Sequence, residues 1–159
     1  MNRKMFKTER QLSAEDTIKL LASGTEGTLC LNGDEGYPYG SPMNYVYFND
    51  AIYFHGALYG YKYDAIKGDS KACFSAIIRS QVAPELFTTR FESVIAFGNV
   101  ELVENPEERQ QVMEKFIQVF SPDFIDGGMK FIKGALGKTS VIKMTIKEIK
   151  GKAFRNDKW

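Results

Sequence analysis

The sequence is poor in the residues that usually announce chemistry. It has one histidine, one tryptophan and two cysteines in 159 residues. One histidine and two distant cysteines make a zinc site improbable. The cysteines, Cys30 and Cys73, have no Cys-x-x-Cys spacing and lie in the apolar stretches TLCL and ACFSAII. They read as small buried hydrophobes in a reducing compartment. No Gly-x-Ser-x-Gly elbow occurs, which leaves no serine triad to weigh, and there is no dinucleotide fingerprint. Charge of one sign is also missing: 21 Lys+Arg face 20 Asp+Glu, a formal net charge of +1. A nucleic-acid groove needs a basic field, so an oligonucleotide-binding barrel is disfavoured despite 12 Phe and 8 Tyr. No apolar run approaches the ~18 residues of a membrane span. The opening MNRKMFKTERQ has no apolar core of a secretory leader. A cytoplasmic protein without nucleic-acid or membrane partners is expected.

What is present is an ordinary globular composition, 43% hydrophobic and 26% charged, enough for one domain over residues 1–159. A polar arm is expected over 1–12. Ser13 caps a helix over 14–23, with acids in its first turn and Gly24 at its stop. GTLCL, the NGDEG turn, the extended YPYGSPMNYVYF and, after a tight FND turn, AIYFHGA then read as closely spaced strands. A short helix is expected within 58–69, a strand over 71–78, a loop over 79–87 and one long strand over 88–104 bent at Gly98. Asn105 and Pro106 start a helix carrying Val112, Met113, Phe116, Ile117 and Phe120 at core spacing. Residues 122–138 read as a connection with short helical potential, and 139–154 as a half-buried strand. The sum is an α+β protein: an antiparallel six-stranded β-barrel with flanking helices.

Four stretches could hold a ligand. His55 closes a strand and is followed by Gly56 and Ala57, which leave room for close approach to the backbone. Lys62 follows across a glycine-containing turn at a helix start. Strand end, small residues, helix N-terminus and one lysine make a local phosphate site without an overall basic charge. Asn44, in Pro42-Met43-Asn44-Tyr45, falls among apolar neighbours and needs polar partners, which a flat heterocycle or the neighbouring backbone would supply. Arg90 and Ser93 concentrate donors at the start of the long strand, where Arg90 would hold a phosphate or pair with Glu85 or Glu92.

In this order, YPYGSPMNYVY, IYFHGA-x-x-G-x-K and FTTRFESVIAFGNV resemble the flavin-binding split-barrel proteins related to pyridoxamine 5′-phosphate oxidase, and within them the nitroimidazole-resistance branch. The resemblance covers roughly residues 10–120 and implies a six-stranded split barrel that forms a homodimer with FMN in two interfacial clefts. It implies that Pro42, Met43, Asn44 and Tyr45 run beside the isoalloxazine and that His55, Gly56 and Ala57 line the ribityl chain and phosphate. Lys62 would hold the phosphate, Ser93 would face the flavin, and Arg90 would give a second phosphate or substrate contact. It further implies electron transfer from reduced FMN to a small aromatic substrate, with NAD(P)H as donor and His55 handling a proton. A non-catalytic flavin- or haem-binding barrel is the alternative. Gly60-Tyr61-Lys62 stands where the oxidase has a Ser-Arg-Lys type segment, and the ending KAFRNDKW has no Arg-x-His, so a substrate other than pyridoxamine phosphate is expected.

Overall fold

A computed structural model describes residues 3–155. Of the expected polar arm, Met1 and Asn2 lie outside the described residues, as do the last four residues of KAFRNDKW. The strands are β1 (Glu26–Asn32), β2 (Pro38–Asn44), β3 (Val46–Phe48), β4 (Ala51–Gly56), β5 (Lys71–Ala83), β6 (Thr88–Leu102) and β7 (Ser140–Phe154). The helices are α1 (Ala14–Ser23), α2 (Tyr61–Gly68), α3 (Pro106–Phe120) and α4 (Ile125–Ala135). All strand pairings are antiparallel, and the single sheet runs β2-β1-β5-β6-β7-β4-β3. The sheet curls so that β2 approaches β4, giving a split barrel.

Seven strands replace the expected six. The aromatic stretch 37–48 divides at Tyr45, whose N–H still donates to the Thr25 carbonyl, one pair beyond the Glu26↔Asn44 end of the β1–β2 ladder, after which β3 pairs with β4. Its ring is fully buried, and its hydroxyl donates to the Leu21 carbonyl at 2.6 Å, a second bond beside that from the Gly24 N–H at the end of α1. The loop expected over 79–87 is mostly strand. β5 continues to Ala83 and only Pro84–Leu86 turn, because register partners such as Gln81↔Arg90 extend the hairpin past the barrel. Residues 125–135 form the full helix α4, where short helical potential was expected.

Both expected helix caps are made. Ser13 Oγ accepts from the Asp16 N–H at 3.0 Å, and Asn105 Oδ1 accepts from the Glu108 N–H at 2.9 Å. The FND turn is a tight β3–β4 hairpin with Asn49 and Asp50 both left-handed, φ 45° and 58°, the conformation such two-residue turns need.

Two cores flank β4. Leu21, Leu29, Tyr45, Ile52, Phe54, Phe74, Val94 and Met144 fill the barrel interior. Val46, Ala51, Tyr53, Val112, Met113, Phe116, Ile132 and Val141 pack the opposite face of β3, β4 and β7 against α3 and α4. Side chains alternate along a strand, so Ile52 and Phe54 enter the barrel while Ala51 and Tyr53 meet the helices. The four consecutive buried residues of β4 follow from this double cover.

Candidate functional site

The alternation along β4 decides what comes next. His55 continues the helix-facing series of Ala51 and Tyr53, and Gly56 continues the barrel-facing series. The His55 ring accordingly meets Phe116 of α3 edge to face, with centroids 4.6 Å apart, while the residue keeps an exposed side. Gly56 pairs with Ser140 at the start of β7. Ser140 Oγ donates to the Ala57 carbonyl at 2.8 Å, fixing the exit of the chain from the strand.

Lys62, in the first turn of α2, folds back over Gly56. A Cβ at Gly56 would lie 3.5 Å from Lys62 Cε, 3.6 Å from Nζ and 3.8 Å from Ser140 Oγ. The ammonium therefore lies close over the β4 backbone. Among the described residues no carboxylate comes within ion-pairing distance of it. Burial without a counter-ion holds the Lys62 ammonium below the usual lysine range. Gly60 precedes the helix at φ 106°, a conformation open to glycine, and supplies no side-chain cap. The N–H groups of the first α2 turn thus have no side-chain acceptor. Tyr39, Ala57, Tyr59, Gly60, Lys62 and Ser140 are among the residues enclosing this cavity of about 210 Å³.

His55 is pushed below its ordinary value, first by burial and then by the Lys62 charge. At neutral pH the ring is therefore uncharged, one nitrogen donating and the other accepting.

A second concavity, a groove of about 660 Å³, lies across β2, β1 and β5. Pro42, Met43 and Asn44 form one wall, Thr28 the floor, and Ser75 and Ile77 the other wall. Asn44, whose sequence neighbours are apolar, is exposed. The two concavities share β2, since Tyr39 lines the first and Met43 the second. Tyr39 and Met43 are four residues apart, about 13 Å of extended strand.

The predicted residues thus fall into three sets. Ala57 and Lys62 line the small cavity, with His55 and Gly56 beside it. Pro42, Met43 and Asn44 line the groove. Tyr45, Arg90 and Ser93 join neither within one chain. The Tyr45 side chain belongs to the barrel core. Arg90 is buried in the β5–β6 extension and donates to Gln81 and Glu85 at 3.3 and 3.4 Å. Ser93 pairs with Ile77, one strand beyond the groove wall. Sequence reasoning missed Ser140, which is 84 residues from Gly56 in sequence and reaches it through the β4–β7 register. It also missed the β5 wall; the exposed Ile77 in an apolar strand was its one available signal.

Fold and site together define a split-barrel protein with a lysine-lined cavity beside an open groove. The sequence profile of the pyridoxamine 5′-phosphate oxidase family matches residues 13–153, and the chain belongs to that family. Solved structures share the fold. A candidate 5-nitroimidazole antibiotic-resistance protein from Bacteroides thetaiotaomicron is 21% identical, with a TM-score of 0.73 over 91% of this chain and 86% of that one. A flavocytochrome from Azotobacter vinelandii is 16% identical, with a TM-score of 0.72 over 98% and 76%. A FAD- and haem-binding protein from Mycobacterium smegmatis is 18% identical, with a TM-score of 0.70 over 92% and 74%. No curated protein sequence matches the chain significantly.

Proposed function

We propose that this protein binds FMN and acts as a flavin-dependent oxidoreductase on small electron-poor aromatic substrates, nitroimidazole-type compounds among them. The observation that carries the reading is Lys62: a half-buried ammonium over the Gly56 backbone, without a carboxylate partner among the described residues, beside a helix N-terminus without a side-chain cap. That donor set fits a phosphate monoester. The groove across β2, β1 and β5 gives a flat heterocycle apolar walls and the exposed Asn44 amide as a polar partner.

Bound flavin would supply hydride or electron transfer. This chain's residues would do the rest. Lys62 and the first α2 turn would hold the phosphate. Pro42, Met43 and Asn44 would orient the ring along β2, with the Tyr45 backbone continuing that strand. Uncharged His55, beside the Lys62 cavity, would relay a proton. Arg90 and Ser93, outside both concavities of one chain, would contribute from the partner in a homodimer, and NAD(P)H would be the electron donor. We place the protein in the cytoplasm; no helix among the described residues is long and apolar enough to cross a membrane.

The test is the visible spectrum of the protein purified from cells, with mass spectrometry of any released ligand. Flavin bands near stoichiometry with FMN released, followed by bleaching with NAD(P)H and recovery with a nitroaromatic, are the expected result. Flavin that is never reduced would leave a carrier. A Soret band would select haem binding, which the flavocytochrome neighbour favours; His55 is the chain's one imidazole ligand. A colourless protein that takes up no added FMN would overturn the reading.

A further inference from the structure

We infer that Cys30 and Cys73 form a cross-strand dithiol that closes into a disulfide between β1 and β5 when a small-molecule disulfide oxidises it. The sequence separates the two cysteines by more than forty positions, and no motif links them. The sheet register does. Cys30 and Cys73 are direct partners in the antiparallel β1–β5 ladder. Direct partners have Cα atoms about 4.5–5.5 Å apart and side chains on the same face. Bridged cysteines span about 4.4–6.8 Å between Cα atoms, so the ladder already holds the two backbones at a bridging distance.

Both thiols are free and partly accessible. Across the same face the ladder continues to Gly40 on β2 and Phe97 on β6. Gly40 carries no side chain, which leaves the Cys30 flank open to an oxidant. The Cys73 thiol is pushed above its ordinary range by burial and, second, by Cys30, which places the two sulfurs within each other's field. A metal reading is not favoured, because no group of three or more His, Cys, Asp or Glu side chains gathers among the described residues.

The step balances without any bound cofactor. One cysteine thiolate attacks a sulfur of oxidised glutathione, the S–S bond breaks, and one glutathione leaves as thiolate. The second cysteine then attacks the protein sulfur of that mixed disulfide and displaces the other glutathione. The protein gives up two electrons and two thiol protons, and the oxidant becomes two glutathione thiols. Thiol attack rises with pH as the thiolate fraction grows. Thr28 and Ser75, the next paired residues on this face, line the groove, so the new bond would tie its floor to one wall. The assignment stands independently of flavin binding.

The test uses the full-length native protein, oxidised glutathione and intact-mass analysis. The expected result is loss of both free thiols, a mass lower by two hydrogens, no retained glutathione, and a peptide linking Cys30 to Cys73. Dithiothreitol should reverse all four. Cys30→Ser and Cys73→Ser should each instead keep one glutathione on the remaining thiol. A wild-type protein that keeps both thiols free, or that accumulates stable glutathione adducts without an internal bond, would overturn the assignment.

Discussion

The His55 imidazole stands edge-on to Phe116, with ring centroids 4.6 Å apart and planes at 83°. Phe116 in turn stacks on Phe120 at 5.7 Å. The ring of the single histidine is therefore held by the helix-side core, and its protonation should report on that core. Phe116→Ala should admit water to the imidazole and raise its pKa toward the ordinary value of about 6.5. With one histidine in the chain, one imidazole NMR resonance suffices to follow it. The same substitution should cost about 3–5 kcal/mol of stability by chemical denaturation. Phe116→Leu should keep more of the packing while moving the titration in the same direction.

His55 also gives stability a pH dependence of fixed sign. Its folded pKa lies below its unfolded value, so the unfolded chain binds the proton more readily. The stability this contributes is present above about pH 6.5 and is lost as pH falls through the folded pKa. Denaturation midpoints at a series of pH values should show that loss, and His55→Gln should flatten it.

Lys62→Ala should weaken flavin retention by about 10–100-fold, the range for losing one charge-assisted hydrogen bond of about 1.5–3 kcal/mol. It should also raise the His55 pKa, because the Lys62 charge is one of its two depressing influences. Fluorescence titration with FMN reads the first effect and NMR the second, so a folded variant is checked in the same sample. Inorganic phosphate added to the wild-type protein should move the imidazole in the same direction by neutralising Lys62.

Gly98 sits where the β6–β7 register shifts. A Cβ there would stand 2.0 Å from the Thr145 carbonyl oxygen, a backbone atom that cannot rotate away. Gly98→Ala should therefore destabilise by about 1–3 kcal/mol, the usual cost of overpacking. Gly56→Ala is the contrasting case: its Cβ would meet Lys62 Cε at an ordinary 3.5 Å. Thermal denaturation of the two variants side by side should separate them.

Glu108 accepts hydrogen bonds from Tyr53 Oη at 2.7 Å and Lys143 Nζ at 2.9 Å. Lys143 foremost, then Tyr53, holds its carboxyl below the usual glutamate range, while burial and Glu108 push the Tyr53 hydroxyl up to about 12. The stabilisation is present above about pH 4.3 and disappears as pH falls through the folded Glu108 pKa. Glu108→Gln should lower the denaturation midpoint at pH 7 and leave a smaller difference at pH 3.

Much of the frame was legible because it is encoded locally. Ser13 and Asn105 cap their helices through side chains three residues from the N–H they bind. Asn49-Asp50 makes its own turn, and Gly98 marks its own bulge. The cavity beside Lys62 was legible for the same reason, since His55, Gly56, Ala57 and Lys62 lie within eight residues. What stayed hidden depends on register between distant segments. Ser140 reaches Gly56, and Cys73 reaches Cys30, only through strand pairing. The β5–β6 extension hid behind Pro84, whose turn signal made a strand end look like a loop. The division at Tyr45 follows from a change of partner strand, β1 before it and β4 after it, which no apolar pattern records. Arg90 was singled out at the start of the long strand, and its position beyond the barrel wall is a matter of hairpin length.

The double burial of β4 has a consequence for anyone wishing to alter this protein. A register slip of one residue would send Ile52 and Phe54 into the space of Ala51 and Tyr53, so the strand has one seating. His55 inherits that seating and Gly56 the opposite orientation, without any loop to absorb error. Diversity introduced at 51–54 would be read out mainly as misfolding. The exposed stretch 57–59, immediately beyond the same strand, offers sites for changing what enters the cavity while its anchor stays in place.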